Sequence, residues 1–428
     1  MPKILACLAA LVIALVSAPA AAQADPHVTY TVRNGDTLLS IAQRYLASTR
    51  SVERVRVLNG IAEPRRMPIG TRLKLPRALL RFDTVDLSVA AFSGAVNVAG
   101  QVPTAGAPLR ENQVVVTGAD GFVTFRTAFG GRISVPSNSQ ARLIRARRYV
   151  LGGMLDVDFA IERGRGSASS PTLKNGDELR LRTPRAVTAV RGTDFRVGYN
   201  PDAGLSVTEV VEGEVGVAAG KDKLTAPAGF GVASMGDGLG APEALLPAPA
   251  LADPGAIQTG ERVEFGVTPA PEARQHRFQV ARDAGFLDIV SEKVISGEQA
   301  AFEGLENGRY FVRARAVAAS GVEGLSEAYS FRRKRIGTSA SSGPSDLVDG
   351  FVFQWAPEGE SNVTFAFQLW ESAAPAQIIV DETGLETTAV VLTDLPSGTY
   401  EWRVAAIQPE AEGLLKVWGP AQRLTISE

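Results

Sequence analysis

Imidazole and thiol chemistry in this 428-residue chain rests on one cysteine and two histidines, Cys7, His27 and His276, far apart in sequence. Serine–histidine and cysteine–histidine catalysis both need an imidazole next to a nucleophile, and a zinc site needs several such ligands. Those chemistries are nearly excluded, which leaves the carboxylates. Asp156 and Asp158 alternate along an expected strand, and Asp177-Glu178 follows a turn. Such pairs can act as acid and base or hold calcium. Far more often they are solvated strand and turn residues, and that is the expectation for both pairs. No catalytic residue, metal ligand or cofactor is expected, and the chain reads as a non-enzyme.

A second set of residues suits binding. The stretch YTVRNGDTLLSIAQRY, Tyr30 to Tyr45, begins with Val28, Tyr30 and Val32 on one strand face and turns at Asn34-Gly35-Asp36. Gly35 is free to take a positive φ, and Asp36 is placed to cap a helix. Leu38, Ile41, Ala42 and Tyr45 then follow at helical spacing. Val52, Val55 and Leu58 mark a second short helix that stops at Asn59-Gly60, a left-handed cap. TRLKLP, 71 to 76, returns as a strand with Leu73 and Leu75 inward. The expected order is strand, helix, helix, strand.

This unit, 28–76, closely resembles the LysM module, through YTVRNGDTLLSIA, the Asn59-Gly60-Ile61 turn and the closing IGTRLKLP. LysM modules bind N-acetylglucosamine-containing glycans, peptidoglycan above all, without cleaving them. The resemblance implies a groove with Gly35, Asp36, Thr37 and Leu38 on one side and Asn59, Gly60 and Ile61 on the other. Backbone groups and a shallow apolar floor suit acetamido sugars. Between 28 and 82 there are eleven Arg or Lys against three acidic residues. A salt-sensitive attraction to the carboxylates of wall peptides follows. Nucleic acid fits the charge equally well, but export argues against it.

Export is read from MPKILACLAALVIALVSAPAAAQA, a signal peptide over 1–24 with Ala22-Gln23-Ala24 before the cleavage point. The apolar run is shorter than the roughly 20 residues a membrane span needs. The expected location is the periplasm, wall-associated, with no transmembrane segment after cleavage. Cys7 leaves with the leader, so the mature chain forms no disulfide.

Length implies several domains, and the apolar content of 45% with 21% charged residues is that of a globular protein. Residues 84–235 alternate apolar and polar residues between glycine turns, a β pattern. Gly213 is expected in a hairpin turn or bulge and Gly192 at a bulge. Arg142, Arg145, Arg147 and Arg148 read as an exposed basic edge. The phrases ENQVVVTGADGFVTFRT, LRTPRAVTAVRGTDFRV and VEGEVGV resemble the extracytoplasmic domain of FecR-like proteins, which relay an outer-membrane event to a sigma factor. The leader and the N-terminal module depart from that family's arrangement. What carries over is a β scaffold suited to a protein partner in the envelope.

Residues 236–255, rich in Pro, Ala and Gly, read as a linker. Two β blocks follow, 256–336 and 349–427, separated by an expected linker at 337–348. They repeat one another: LENGRYFVRARA from Leu305 returns as LPSGTYEWRVAA from Leu395, 90 residues on. Each resembles the fibronectin type III pattern, which implies a β-sandwich with Tyr310 or Tyr400 pinning a corner and Phe265 or Trp355 in the core. Trp370, Trp402 and Trp418 are expected to pack rather than form a sugar platform. Arg332-Arg333-Lys334-Arg335 reads as the end of a strand at a solvated linker. The fold class is multidomain and mainly β: a βααβ module, a β-rich domain and two tandem sandwiches.

Overall fold

The computed structural model describes residues 27–427 apart from 191, 237, 269, 411 and 412. The expected signal peptide lies outside the described residues. The fold is mainly β, with two short α-helices near the start. No helix among the described residues is long and apolar enough to cross a membrane. Two compact units are present, one running to Leu245 and including Ser320–Glu323, the other holding Leu246–Ala319 and the chain from Gly324 on.

The first unit opens with β1 (His27–Thr31), α1 (Leu38–Tyr45), α2 (Val52–Leu58) and β2 (Arg72–Pro76), in the expected order. β1 and β2 pair antiparallel with Tyr30 opposite Leu73. Tyr30, Val32, Leu38, Ile41, Ala42, Val55, Leu73 and Leu75 are buried. Leu58 is 42% exposed, in the last turn of the seven-residue α2, where Val57 faces water as well. The module's core is not its own alone. Tyr149 and Met154, from the hairpin that follows the strand Gln140–Tyr149, complete the same cluster. A 50-residue fold buries too little apolar surface for comfort, and this borrowed wall extends it.

The rest of the first unit is built from two sheets that share one bent strand, Leu155–Ser169. Its first half, Asp156–Ala160, pairs parallel with Glu178–Arg182. Its second half, Gly164–Ser169, pairs antiparallel with Asp194–Tyr199 in the other sheet. Val, Leu and Phe side chains from both sheets meet between them, with Phe125, Phe159 and Phe195 among the largest. Gly213 sits in neither a hairpin nor a bulge. It carries the chain from Leu205–Glu212 in one sheet to Glu214–Ala219 in the other. There it takes φ +81, and a Cβ would lie 2.9 Å from the Gly192 carbonyl oxygen and closer still to Thr193. Gly192 occupies the matching crossing before Asp194–Asn200. Two glycines let the two crossings touch.

The segment 236–255 is not a free linker. Gly238–Leu239 and Glu243–Ala244 add short strands to Phe230–Met235 in the first unit. Farther on, the Ala252 N–H donates to the Gly266 carbonyl at 3.0 Å and Leu251 bridges to Val267 in the second unit. Buried Leu245, and Leu251 packed against the next core, explain why: the leucines outweigh the linker-like composition.

The second unit contains two sandwiches. The first faces a five-stranded sheet, centred on Gly308–Ala318, with the pair Val263–Gly266 and Gln299–Phe302. The second faces Ile336–Pro344, Gly350–Gly359 and Ala389–Thr393 with a sheet centred on Gly398–Glu410. The expected linker at 337–348 is thus mostly a strand, paired from Ile336 opposite Gly359 to Pro344 opposite Phe351. Its serines conceal an alternation: Ile336 and Thr338 are buried and Ala340 packs on the core. The basic run is not solvated either. Arg333 is buried and its guanidinium donates to the carbonyls of Gln258, Gly260 and Glu261. Arg332 and Lys334 both pair with Glu410 of the next sandwich.

The repeat is chemical as well as topological. In each sandwich an arginine donates to a glutamine that donates to a carboxylate, Arg313–Gln279–Glu292 and Arg403–Gln368–Asp381. Phe265 and Trp355 are buried as expected. Trp402 is fully buried and Trp370 nearly so, while half-buried Trp418 has the Arg403 guanidinium 4.3 Å from its ring centre.

Candidate glycan-binding site

The turn between β1 and α1 is organised by Asp36. Its side chain is 3% exposed and accepts the Tyr30 hydroxyl at 2.7 Å and the Arg33 N–H at 2.8 Å. Arg44, one helix face away, forms an ion pair with its other oxygen. Burial pushes the Asp36 carboxyl up, but the Arg33 N–H, the Tyr30 hydroxyl and the Arg44 guanidinium together hold it below the usual carboxylate range. Burial, reinforced by the bond to Asp36, raises the Tyr30 phenol.

Asp36 is therefore not the helix cap. Thr37 is: its hydroxyl accepts the Ser40 N–H at 3.0 Å, and the Ser40 hydroxyl accepts the Thr37 N–H at 2.9 Å. The reciprocal pair satisfies two backbone donors, and it frees Asp36 to point inward. Sequence reasoning chose Asp36 because it follows the Asn34-Gly35 turn and stands just ahead of the helical stripe. The serine three residues after Thr37 was the available signal for the alternative.

Asn59, Gly60 and Ile61 close α2. Gly60 takes φ +60, its N–H reaches the Val57 carbonyl at 3.2 Å, and the Ile61 N–H reaches that of Arg56 at 3.1 Å. The left-handed residue permits this close. Asn59 sends its amide to the carbonyls of Val55 at 2.8 Å and Lys74 at 2.9 Å, and accepts the Lys74 N–H at 2.7 Å. It ties the end of α2 to β2.

The two stretches are neighbours. The Leu38 N–H donates 2.9 Å to the carbonyl of Pro64, in the loop that follows Ile61. Gly35 and Gly60 are exposed, and a Cβ on either meets nothing within 4 Å. Thr37, Asn59 and Ile61 are half-buried. Asp36 and Leu38 are buried, so the Leu38 side chain is core rather than a sugar floor. Exposed apolar surface comes instead from residues that sequence reasoning did not single out. Leu39 is 52% exposed beside Leu38, and Leu58 is exposed beside Asn59. Position supplies the only sequence signal, since Leu39 falls off the buried stripe of α1.

Residues 30–76 match the family model of the LysM domain. The LysM module thus coincides with the βααβ unit whose turns are described above. Residues 113–216 match the model named FecR protein, within the two-sheet part of the first unit. No curated protein matches the chain. Among solved structures, a candidate anti-sigma factor from Parabacteroides distasonis ATCC 8503 is similar at 13% identity, with a TM-score of 0.26 over 31% of this chain. The chain spans 59% of that protein's length. Chicken CNTN1 FN1-FN3 domains are similar at 11% identity over 59% of this chain and 97% of that one, TM-score 0.20. Fibronectin(III)-like modules of Clostridium thermocellum CbhA are similar at 13% identity over 41% and 90%, TM-score 0.21. TM-scores this low establish no shared fold.

The LysM and FecR modules are binding or regulatory types, and the carboxylates of the FecR region are engaged structurally. Asp156 and Asp158 are not solvated: both are buried, Asp156 between Arg145, Arg180 and the Tyr149 hydroxyl, Asp158 against Arg180 and Arg182. Arginines from the flanking strands lie over them, and their long stems exclude water. Asp177 accepts the Leu155 N–H at 2.8 Å, and Glu178 pairs with Arg77 and Arg180 at 3.0 Å each. The expected basic edge is mostly paired too: Arg142 with Glu162, Arg145 with Asp156, Arg147 with Glu111, leaving Arg148 exposed. Among the described residues, no group of three or more His, Cys, Asp or Glu is placed to hold a metal ion.

Proposed function

We propose that the protein is a non-enzymatic, periplasmic, wall-associated protein whose LysM module holds N-acetylglucosamine-containing glycan. The observation that carries this reading is the meeting of the two turns, tied by the Leu38 N–H to the Pro64 carbonyl and open to water at Gly35 and Gly60. Gly35, Thr37, Asn59, Gly60 and Ile61 offer the contacts, while Asp36 and Leu38 hold their shape from beneath. Exposed Arg33, Arg54, Arg65, Arg66, Arg72 and Lys74 surround the module with positive charge that attracts the carboxylates of wall peptides. The β domains then present a surface to another envelope protein.

Co-sedimentation with purified sacculi tests it, using protein that begins at Asp25. The protein pellets at low salt and is released as salt rises. Ile61→Asp, at a half-buried position, weakens pelleting about tenfold or more while thermal unfolding stays close to that of the parent. Protein that remains in the supernatant at low salt overturns the reading.

The FecR match at 113–216 favours a second reading, a signalling regulator that acts through the central β domain. Deletion then changes the transcription of a defined gene set, and an unchanged transcriptome counts against it.

A further inference from the structure

The chain contains four Asn-Gly pairs, Asn34-Gly35, Asn59-Gly60, Asn175-Gly176 and Asn307-Gly308. Such a pair is chemically vulnerable, because glycine has no side chain to keep its backbone nitrogen away from the asparagine amide. The fold holds the four pairs differently.

Asn59 donates to the carbonyls of Val55 and Lys74 and accepts the Lys74 N–H, while the Gly60 N–H goes to Val57. Asn307 is exposed but tied: its amide donates to Glu360 at 2.9 Å, and its oxygen accepts the Arg335 N–H at 2.6 Å. Asn34 has no such hold. It is exposed together with Gly35, and among the described residues neither its side-chain amide nor the Gly35 N–H has a hydrogen-bond partner. Only the flanking residues close the turn around them. The Asp36 N–H donates to the Arg33 carbonyl at 3.2 Å, and the Arg33 N–H to the Asp36 carboxylate at 2.8 Å. Asn175 sits in a similar turn, where the Asp177 N–H donates to the Lys174 carbonyl at 3.0 Å. There Gly176 is braced: its carbonyl accepts Arg77 at 3.1 Å, and a Cβ on it would meet the Met154 sulfur at 2.6 Å.

We propose that Asn34 is a site of spontaneous modification, at which the chain slowly converts its own amide into an acid. The Gly35 nitrogen forms a bond to the Asn34 Cγ, the bond from Cγ to Nδ2 breaks, and ammonia leaves with the proton of the Gly35 N–H. Water then opens the cyclic imide at either of its carbonyls. The products are aspartate and isoaspartate, in which the backbone runs through the former side chain. Each puts a carboxylate beside Arg33 on a module whose exposed surface is basic, and isoaspartate also lengthens the turn by a methylene. The added negative charge opposes the attraction of wall carboxylates. The modification itself goes beyond the wall-binding reading. Its effect on binding rests on that reading, because Gly35 belongs to the proposed glycan site.

Peptide mapping by mass spectrometry tests it on the full mature chain, aged in mildly alkaline buffer, which favours the deprotonated Gly35 nitrogen. Asn34 is expected to convert first and Asn175 second. Asn59 and Asn307 must first break the bonds that hold them, and they convert at least about tenfold more slowly than Asn34. Any order in which Asn34 is not first, or an Asn34 that keeps its amide, overturns the proposal. Pelleting with sacculi reads the consequence. The aged parent loses pelleting in step with the fraction converted at Asn34. Asn34→Gln, whose longer side chain closes a ring far more slowly, pellets after the same ageing as it does when fresh. An aged parent that pellets like fresh protein, or an equal loss in Asn34→Gln, overturns the link to binding. Fresh parent that does not pellet sinks the glycan reading alone, since the mass readout needs no glycan.

Discussion

The hydroxyl of Tyr30 donates 2.7 Å to the Oδ2 of Asp36, joining the first strand of the LysM module to the turn that opens its first helix. The same oxygen takes the Arg33 N–H at 2.8 Å, so one carboxylate sets both the strand's exit and the turn's shape. Its part in the proposed glycan site is indirect: it fixes where Gly35 and Thr37 stand.

Removing the pieces of this network should therefore act on stability in graded steps. Tyr30→Phe deletes one hydrogen bond and costs about 1 kcal/mol. Asp36→Ala strands the hydroxyl, the Arg33 N–H and Arg44 together and costs about 1–3 kcal/mol. Urea unfolding of the two variants gives the comparison. A Tyr30→Phe loss as large as that of Asp36→Ala would place the stability in the ring packing rather than in the carboxylate.

The pH dependence follows from the same group with a definite sign. Asp36 is held below its ordinary value of 3.8, so the folded state prefers its charged form. Its contribution is fully present above that value and is lost as the pH falls through the folded-state pKa. Glu178 has the opposite sign. Burial in the main, helped by Asp156, raises it above its ordinary 4.5 against the pull of Arg77 and Arg180. Its contribution is present below 4.5 and fades as the pH rises through the folded value. Unfolding midpoints across the acid range should fall less steeply for Asp36→Asn than for the parent. For Glu178→Gln they should fall more steeply than for the parent, because the favourable protonation of Glu178 no longer offsets part of the acid loss.

The features legible in the sequence were those set by neighbours along the chain. The stripe Leu38, Ile41, Ala42 and the alternation Leu73, Leu75 are local periodicities, and both are buried. The repeat of Leu305 at Leu395 was legible for the same reason. Partners brought in by tertiary structure were not. Nothing near Asp36 announces that Tyr30 and Arg44 will close on it, and nothing near Asp156 announces two arginines and a tyrosine. Composition misled at 337–348, where the exposed Ser339 and Ser341 hide the inward alternation of Ile336, Thr338 and Ala340. The turns of the proposed glycan site lie between these cases: Gly35 and Gly60 were legible from turn chemistry, whereas the burial of Leu38 needed the packing of α1 against its neighbours.

The buried aspartates of the central domain make a sharper stability test. Asp158 is fully buried and faces Arg180 and Arg182, so Asp158→Asn takes the counter-charge from Arg182, while Arg180 keeps Asp156 and Glu178. Breaking a buried pair from one side costs about 3–5 kcal/mol. Adding Arg182→Gln removes that orphan, and the double variant should lose less than the sum of the singles. Additive losses in that cycle would show that the pair is not coupled.

The two sandwiches allow the same hydrogen bond to be measured twice in one chain. Tyr310 donates to the Glu306 carbonyl at 3.1 Å and Tyr400 to that of Pro396 at 2.9 Å, each four residues back. Both bonds pin the corner before the longest strand of their sandwich, Gly308–Ala318 and Gly398–Glu410. Both rings pack in the cores, so substitution by phenylalanine removes the hydroxyl and keeps the apolar contact. Each single change should cost about 1 kcal/mol. The corners belong to different cores, with Phe331 stacked on Tyr310 at 5.7 Å in the first, so the double variant should lose the sum of the two. Calorimetry reads these losses in the second unit's transition, while pelleting with sacculi stays at the parent level because the LysM turns belong to the first unit. A drop in pelleting from either corner variant would tie glycan binding to the sandwiches.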